Sequence, residues 1–456
     1  MATTTVSIGS NQNIDTETPN GATGSNPYVV TFGTNPNSTV AVGDIMTMDD
    51  SANSGDTIIY LLTGISGSNY TVKWCSGGSS AESPTNIVDE YGDQQDAVFK
   101  RAFSTIILFE AMVDDSSPSY WGSSDDVVGE LHADSTFTDN TVNFNQKQSL
   151  SSVKLTVNSD DRHDGTAESG ALWKPTSGSG HNVGILVMNI DNMIAEWLDI
   201  SLDSLDSTNT NRAIVLGGTN DDNIIRNNLL HDKGGNPGNT GPTAIQTTAA
   251  GGTSDTISIL NNIIYNWVET SNDHAVGINL NVWQGTGNIY NNTVYNIVSN
   301  GGSKYAYGIL FGNDSDNTTN IKNNIVAQLS GSQERAYYKN GSGSTANTAN
   351  NLSDDTTGAA YDAEDMNQSL NDSSALIGKT LAQIDFVSTS AGSEDLHLDT
   401  SSACLEVGVD LGTTNGVNID IDGVDRDATG VTWDIGADQK SEAESTGNPA
   451  FFLLMN

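Results

Sequence analysis

Acidic side chains lie next to histidine or arginine in successive loops of the central part of the chain. They form the pairs His231-Asp232, Asp273-His274 and Glu334-Arg335. An enzyme that cleaves a polysaccharide needs two or three carboxylates, or a base with a cation, on one face of its fold. These pairs lie on one side of the repeating units described below, so such an enzyme would use them. They do not share one position in the repeat, and the sequence therefore favours a protein without a catalytic site.

The densest acidic run lies between residues 418 and 427 and contains the Asp-x-Asp-Gly core of a calcium-binding loop. Its candidate ligands are Asp420, Asp422 and Asp425. An EF-hand loop ends in a bidentate glutamate, but Thr429 stands at that position here. The sequence therefore requires no cofactor and leaves calcium as an optional ligand.

Aromatic residues gather in the same central part of the chain, beside asparagines and aspartates. They are Tyr265, Trp267, Trp283, Tyr290, Tyr295, Tyr305 and Tyr307. Exposed aromatic rings beside such polar groups are typical of surfaces that hold sugars. About half of these positions alternate inward and are expected in the core, so surface glycans are one candidate partner.

Composition excludes several classes of protein. The 456 residues include 57 acidic and 17 basic side chains, which gives a net charge of −40. Such a field repels phosphates and anionic headgroups, so nucleic acids and anionic lipid surfaces are excluded as partners. With 46 glycines and many small polar residues, the chain is too poor in helix formers for an all-helical protein.

The chain carries no signal for membrane insertion. No apolar run reaches the length of about 18 residues that a spanning helix needs. The first residues lack the basic and apolar regions of a secretion signal, so the protein leaves its cell by lysis or assembly, or a signal was removed. Cys75 and Cys404 lie far apart and are expected to be small core residues.

The central third of the chain is a repeat. Adjacent asparagines, each pair flanked by aliphatic residues, recur at intervals of about 30 residues. The pairs are Asn227-Asn228, Asn261-Asn262, Asn291-Asn292, Asn323-Asn324 and Asn350-Asn351. A second set of residue pairs recurs at similar intervals, one after each asparagine pair. Its members are Ala244-Ile245, Gly277-Ile278, Gly308-Ile309 and Ala336-Tyr337. Two sets in step make a chance match improbable.

A period near 30 with short β-branched segments and no helix between them predicts a solenoid of stacked parallel strands. Asparagine tolerates the left-handed bend at the corner of a coil, and its amide can bond the same amide in the next coil. We therefore expect a structural ladder of asparagine side chains. Its members are Asn228, Asn262, Asn292, Asn324 and Asn351.

The segments outside the repeat suggest four parts. Residues 1–92 are predicted to be an extended arm, over 1–40, and a small antiparallel β domain. Residues 93–150 are predicted to be a transition, and the spacing of apolar residues predicts a helix over 93–113. Residues 151–440 are predicted to be the solenoid, and the helix is expected to cap its open end. Residues 441–456 are a linker and an apolar tail, Phe451, Phe452, Leu453, Leu454 and Met455. The tail either folds back or docks into a neighbouring copy, and we favour the second.

The end of the repeat resembles the closing segment of right-handed parallel β-helix proteins found on phage virions and other extracellular surfaces. The similarity lies in three stretches, 402–408, 422–426 with its Asp-Gly-x-x-Arg pattern, and 431–438 with Asp-Ile-Gly-Ala. Cys404 replaces an aliphatic residue of that pattern, and Gln439 replaces an acid. The resemblance implies that Arg426 pairs with Asp422 or Asp434 to lock the closing turns.

The stretch Arg162-His163-Asp164-Gly165-Thr166, with His181 after it, is similar to the first coils of phage members. In that context His163 and His181 are expected to lock turns rather than catalyse. The resemblance implies an all-β fold: a right-handed parallel β-helix with a small N-terminal β domain and a capping helix.

Function is less determined than fold, because one solenoid hosts lyases, hydrolases, adhesins and virion fibres. We favour a non-enzymatic structural and adhesive protein of an extracellular particle, above all an oligomeric phage virion surface protein (a fibre, spike or decoration) that presents a rigid acidic β-helix. It would be located on a virion or other extracellular surface and bind itself and other particle proteins, with surface glycans as a candidate partner. One alternative is a tailspike-like polysaccharide depolymerase, a lyase or hydrolase. Another is a bacterial or archaeal cell-surface, S-layer-like or filament-forming protein.

Overall fold

The computed structural model describes most of the chain. The described residues are 2–33, 36, 38–50, 56–77, 83–87, 94–115, 120–177, 184–205, 212–218, 221–234, 241–270, 273–300, 302, 304–312, 317–340, 344–355, 373–428 and 431–440. The predicted tail residues 451–455 and His181 lie outside them. None of the described helices has the length and apolarity needed to cross a lipid bilayer.

A seven-stranded antiparallel sheet forms the N-terminal β domain. After β1 (Thr3–Ile8), its strands are β2 (Asp15–Glu17), β3 (Pro19–Gly24), β4 (Tyr28–Phe32), β5 (Ile45–Asp50), β6 (Asp56–Ser66), β7 (Asn69–Ser76) and β8 (Ala97–Lys100), in the order β2-β8-β5-β6-β7-β4-β3. Alternate residues of β4 point inward, as in any strand with one buried face, and Val30 and Phe32 pack with Met46, Tyr60 and Phe99.

Three parallel sheets form a β-solenoid in the central part of the chain, which confirms the predicted all-β class and solenoid. Its first sheet contains β1, β9 (Asp126–Leu131), β11 (Ser152–Val157), β14 (Met193–Glu196), β17 (Asn223–Arg226), β20 (Thr256–Leu260), β23 (Thr286–Tyr290), β26 (Thr318–Lys322) and β29 (Thr345–Ala349). Its second contains β10 (Val142–Phe144), β13 (Gly184–Met188), β16 (Arg212–Leu216), β19 (Thr243–Thr247), β22 (Ala275–Leu280), β25 (Tyr305–Phe311) and β28 (Gln333–Lys339).

The third sheet contains β12 (Leu172–Trp173), β15 (Asp199–Ser201), β18 (Leu229–Lys233), β21 (Ile263–Glu269), β24 (Thr293–Ser299), β27 (Ile325–Ala327) and β30 (Leu352–Ser353). One coil therefore visits the three sheets in turn, and every neighbouring pair of strands is parallel. Aliphatic side chains from all three sheets fill the interior, for example Ile225, Leu230 and Ile245.

The two asparagines of each pair have different roles. The first, at positions 227, 261, 291, 323 and 350, adopts a left-handed backbone with φ between 53° and 56°. This turns the chain from the first sheet into the third at little cost for asparagine. The second is buried and forms a ladder, in which each side-chain amide donates to the next Oδ1 at 2.9–3.0 Å. The ladder runs through Asn228, Asn262, Asn292, Asn324 and Asn351.

Two local predictions for the N-terminal part are wrong. Thr3–Ile8 is not part of a free arm, because it pairs in parallel with β9 as the outermost strand of the first sheet. The helix α1 covers only Ile106–Val113, whereas Ala97–Lys100 is a strand paired with β2 and β5. The apolar spacing of 98, 102 and 106 suits a helix, but sheet pairing overrides that local preference. The capping role of α1 stays a prediction.

The C-terminal segment runs back along the corner of the solenoid. The side chains of the first asparagines donate to its backbone: Asn350 to the carbonyl oxygen of Val407, Asn323 to that of Val409 and Asn261 to that of Val417, at 2.6–3.2 Å. Asn227 donates to Ile419 at 3.0 Å. The same asparagines that bend each coil therefore also clamp residues 407–420 to its outside.

Arg426 locks the closing turns, but not through the predicted carboxylates. The side chain is fully buried, and it donates to the backbone carbonyl oxygens of Gly436 and Ala437 at 2.8 Å and of Asp434 at 3.3 Å. Gln439 accepts a further bond at 3.4 Å. Carbonyl oxygens are the partners because the turn wraps its backbone around the two terminal nitrogens of the guanidinium, whereas the Nε makes no hydrogen bond within the described part of the chain.

A short helix α2 (Leu381–Ile384) and a hairpin of β31 (Phe386–Ser390) and β32 (Ser393–Leu398) precede this segment. Phe386 and Leu396 pack with Ile263, Tyr265 and Tyr295 on the outer face of the third sheet. The hairpin therefore covers part of that sheet and forms one wall of the site described next. Both cysteines are buried and unpaired thiols.

Candidate functional site

A cavity of about 390 Å³ lies between the third sheet and the hairpin β31–β32. We call it the acidic cleft; it is lined by Thr166, Ala167, Glu168, His231, Asp232, Tyr265, Gly392, Ser393, Glu394 and Asp395. Four of these ten residues carry a carboxyl group. The loop after β11, the strands β18 and β21 and the hairpin each contribute, so distant segments of the sequence build one site.

His231 is the buried centre of the cleft wall. Its Nε2 lies 2.7 Å from Asp199 and its Nδ1 lies 2.8 Å from Asp232, and its ring stacks on Tyr265 with centroids 5.2 Å apart. Burial lowers the pKa of His231, but the bonds to Asp199 and Asp232 outweigh it and raise that pKa to about 9. His231 is therefore an imidazolium at neutral pH and has no free nitrogen with which to act as a base.

Asp232 occupies a second corner column of the solenoid. Asp232, Asn266 and Asn296 all have left-handed backbones, with φ of 60°, 58° and 54°. The Asn296 amide donates to Asn266 at 2.7 Å, and the Asn266 amide donates to Asp232 at 2.8 Å. A carboxylate thus replaces an amide where this short ladder reaches the cleft.

Asn266 joins two carboxylates across the cleft. The same amide nitrogen donates to Asp232 Oδ1 at 2.8 Å and to Glu394 Oε1 at 2.9 Å. The two oxygens cannot be further apart than the sum of these distances. Burial raises the pKa of Asp232, but its hydrogen bond and charge interaction with His231 lower it below the ordinary value, so Asp232 is an anion at neutral pH.

A second histidine lies behind the hairpin. His397 bonds Asp395 through Nδ1 and Asp422 through Nε2, the latter at 3.0 Å. Burial lowers the pKa of His397, but Asp422, then the charge of Asp438 and then the bond to Asp395 raise it to about 10. Asp395 belongs to both arrangements, because it lines the cleft and holds His397.

The predicted calcium ligands do not converge. Within the described part of the chain, the grouping whose ligand atoms lie within 4.8 Å of one another is His397, Asp422 and Asp438. Asp420 accepts three backbone N–H bonds, from residues 422, 424 and 439, and Asp425 accepts from Asn418 and residue 427. The carboxylates that resemble a calcium loop therefore brace turns, and calcium binding by this segment stays a hypothesis.

The structure does not bring the six candidate catalytic residues together. His231 and Asp232 line the cleft. Asp273 accepts the backbone N–H of Gly241, and His274 accepts that of Tyr305, where the chain passes from the third sheet to the second. Glu334 and Arg335 lie on β28, in the second sheet. His274 packs against Tyr305 and Tyr307 of the second sheet, and Tyr307 pairs with Arg335. These two pairs therefore lie at the second sheet, away from the cleft that His231 and Asp232 line.

The predicted aromatic residues do not form one exposed stripe. Trp267 and Trp283 are in the solenoid core, Tyr265 and Tyr295 pack beneath the hairpin, and Tyr290 packs near the C-terminal segment. Tyr305 and Tyr307 stack on each other at 5.4 Å on the outside of the second sheet. Separately, His163 bonds the backbone oxygen of Asn227 at 3.0 Å and accepts the N–H of Gly165, which is a turn-locking arrangement.

Sequence reasoning missed three cleft residues, Glu168, Glu394 and Asp395. Glu168 lies before the repeat that the asparagine pairs mark, and the hairpin with Glu394 and Asp395 lies after that repeat. None of the three residues therefore has a position in the repeat. The only local signal was the polar turn Ala391-Gly392-Ser393 before Glu394-Asp395, which is typical of a hairpin. Its docking against β18 and β21 is a long-range contact that no local pattern encodes.

We expect the imidazole of His231 to titrate near pH 9, far above the ordinary value of about 6.5. Because the folded pKa is raised, the interaction stabilises the protein fully below about pH 6.5 and is lost as the pH rises through about 9. NMR titration of the histidine ring signals measures this, with His231→Gln identifying the signal. A His231 signal that titrates between pH 6 and 7 would contradict the ion-paired arrangement.

No known protein family matches the sequence, and neither does any curated protein. Two solved structures are similar at 12% sequence identity. The tailspike gp61 of Pseudomonas phage phi297 has a TM-score of 0.17, with 77% of this chain and 61% of the tailspike covered. The tailspike protein gp49 of Pseudomonas phage LKA1 has a TM-score of 0.16, with coverage of 76% and 64%. The matched part spans less than two thirds of either tailspike.

Proposed function

We propose that this protein is a rigid extracellular surface protein that holds glycans in the acidic cleft, of the kind that a phage virion carries as a fibre, spike or decoration. The cleft is the observation that carries the proposal. Carboxylates accept hydrogen bonds from sugar hydroxyls, a phenol can donate one, and the volume of about 390 Å³ falls within the ~300–1,000 Å³ of ligand pockets. The resemblance of the closing segment supports a virion, although a cell-surface or S-layer-like protein would share the same physics.

The scaffold supports an adhesive role. The asparagine ladder and the clamped C-terminal segment restrain each coil from inside and outside, and a rigid site loses less entropy when it binds. The charge of −40 favours solubility. Self-association through the apolar tail belongs to the same proposal. Light scattering should find oligomers for the full chain and monomers for a version ending at Asn448; identical masses would exclude the tail as an assembly element.

Binding to purified bacterial surface polysaccharides tests the cleft. We expect Asp232→Asn and Glu394→Gln to weaken retention at least tenfold, because each removes an acceptor from the cleft. The matched control is Asp410→Asn, which removes the same charge from an exposed residue whose carboxylate, among the described residues, accepts only the N–H of Gly412. Equal retention of all variants would place glycan contact elsewhere.

One observation favours glycan cleavage as a second candidate. Asn266 holds Asp232 and Glu394 close together, and a retaining glycosidase needs two carboxyl groups about 5–5.5 Å apart. The lowered pKa of Asp232 suits a nucleophile, which would leave Glu394 as the acid. Adhesion remains the first proposal because both oxygens of Asp232 already accept hydrogen bonds, Oδ1 from Asn266 and Oδ2 from His231.

Release of reducing ends from the retained polysaccharide separates the two candidates. A depolymerase should release them with the wild type and lose about 10³-fold or more of the rate in either Asp232→Asn or Glu394→Gln. An adhesin should retain the polysaccharide intact over the same time. Wild-type cleavage that neither substitution affects would reject this pair as the catalytic residues.

A further inference from the structure

The acidic cleft has more negative than positive charge on its walls. The His231 imidazolium is shared between Asp199 and Asp232, and the His397 imidazolium is shared between Asp395 and Asp422. Each cation is therefore outnumbered two to one by carboxylates. A low-dielectric wall strengthens the resulting field, which attracts a positive group.

Glu394 exposes part of this excess negative charge to the cavity. Its two oxygens accept one bond each, from the Asn266 amide at 2.9 Å and from the backbone N–H of Gly392 at 2.9 Å. Among the described residues, no lysine, arginine or histidine forms an ion pair with it. Glu168, also in the lining, lies 3.9 Å from Lys174, which pairs more closely with Asp203 at 2.7 Å.

Tyr265 supplies a second and independent feature. Its side chain is 2% exposed and lines the cavity, and its ring is fixed by stacking on His231. Within the described part of the chain, its hydroxyl makes no hydrogen bond. The tyrosine borders the open cavity, so its hydroxyl is placed to bond a ligand.

We propose that the acidic cleft binds a sugar that carries a free, protonated amine, with the ammonium group against Glu394 and Asp232 and a sugar oxygen on the hydroxyl of Tyr265. This rests on the proposed function, that the cleft holds a glycan, and it names the class of sugar. An ammonium group has three donors and one positive charge, which match the carboxylate oxygens that Asn266 holds side by side.

A bare metal ion fits the cleft less well. Calcium takes six to eight oxygen ligands at 2.3–2.6 Å, whereas Asp232 Oδ1 and Glu394 Oε1 already share one amide, and Asp232 Oδ2 accepts from His231. The cavity of about 390 Å³ is also far larger than an ion needs. A ligand with a cationic end and a polar body uses both the charge and the volume.

Calorimetric titration with two matched oligosaccharides tests the inference. The probes are the hexamer of β-1,4-linked glucosamine and the hexamer of β-1,4-linked N-acetylglucosamine, near pH 6, where the amines are largely protonated. We expect the amine form to bind at least tenfold more tightly and to weaken as salt rises. Glu394→Gln should remove at least tenfold of that preference, Tyr265→Phe should weaken both probes severalfold, and Asp410→Asn should change neither.

A pentamer of lysine controls for attraction to the overall charge of the protein. It should bind weakly and with the same affinity to the wild type and to Glu394→Gln. Equal affinity for the two hexamers would overturn the amine inference and leave glycan binding intact. A preference that survives Glu394→Gln, or a lysine pentamer that binds as tightly as the amine hexamer, would also overturn it. If neither hexamer binds, the inference fails, and retention of surface polysaccharide then decides the proposed function separately.

Discussion

Replacing Arg426 by alanine is expected to lower the free energy of unfolding by about 3–5 kcal/mol, the cost of removing one partner from a buried charged network. Arg426 is fully buried and donates to the carbonyl oxygens of Asp434, Gly436 and Ala437. Its loss removes a donor from each of these oxygens inside the closing turns, although that of Ala437 keeps the backbone N–H of Ile421. It also removes the cation nearest to the buried carboxylate of Asp420, whose pKa burial already raises to about 7.

Urea unfolding followed by tryptophan fluorescence measures this effect, because Trp433 is 3% exposed and lies 5.8 Å from the Arg426 guanidinium carbon. Arg426→Lys should recover only part of the loss, since one ammonium cannot reach all the carbonyls. Arg335→Ala is the control, because that side chain bonds Gln333 in a more exposed position. A change below about 1 kcal/mol for Arg426→Ala would show that the closing turns do not depend on it.

Replacing Asn292 by alanine is expected to cost about 3 kcal/mol, which corresponds to several buried groups left unsatisfied. Asn292 is fully buried in the middle of the ladder. Its Oδ1 accepts from the backbone N–H and the amide of Asn262, and its amide donates to Ile259, Tyr290 and Asn324. Alanine removes all of these bonds and leaves a cavity between two coils.

Equilibrium unfolding of Asn292→Ala beside Asn347→Ala checks this. Asn347 ends a different, exposed asparagine row, where its amide donates to Asn320 at 2.9 Å, so its loss should cost well below 1 kcal/mol because water replaces the bond. Similar costs for the two variants would contradict the view that burial makes the inner ladder stabilising.

The solenoid could be predicted because its cause is repeated in the sequence. Each coil must bend between the first and the third sheet, and a left-handed bend favours asparagine, so the pairs from Asn227-Asn228 to Asn350-Asn351 mark this corner in five coils. The sequence pattern did not show that the first and the second asparagine of each pair have different roles. The first of each pair bends the chain and clamps the C-terminal segment, and that segment has no repeat from which its path could be read.

The cleft could be predicted only in part. His231-Asp232 stood out because acid and base are adjacent in sequence, but Asp273-His274 and Glu334-Arg335 have the same local character and lie on other surfaces. Each coil has three sides, and the position of a residue along the coil decides on which side its side chain lies. Because the loops differ in length between coils, residues at equal spacing in the sequence can lie on different sides. Glu168 and Glu394 reach the cleft from outside the asparagine-marked repeat, by the docking of a hairpin whose apolar residues, such as Phe386, look like ordinary core.

The most direct test of the central claim is an experimental structure of the protein with an oligosaccharide cut from a polysaccharide that it retains. We predict density for a sugar in the acidic cleft, within hydrogen-bond distance of Glu394 and of the hydroxyl of Tyr265, with the solenoid unchanged around it. An oligosaccharide bound on another face, for example along Tyr305 and Tyr307 on the second sheet, with the cleft holding only water, would contradict the claim.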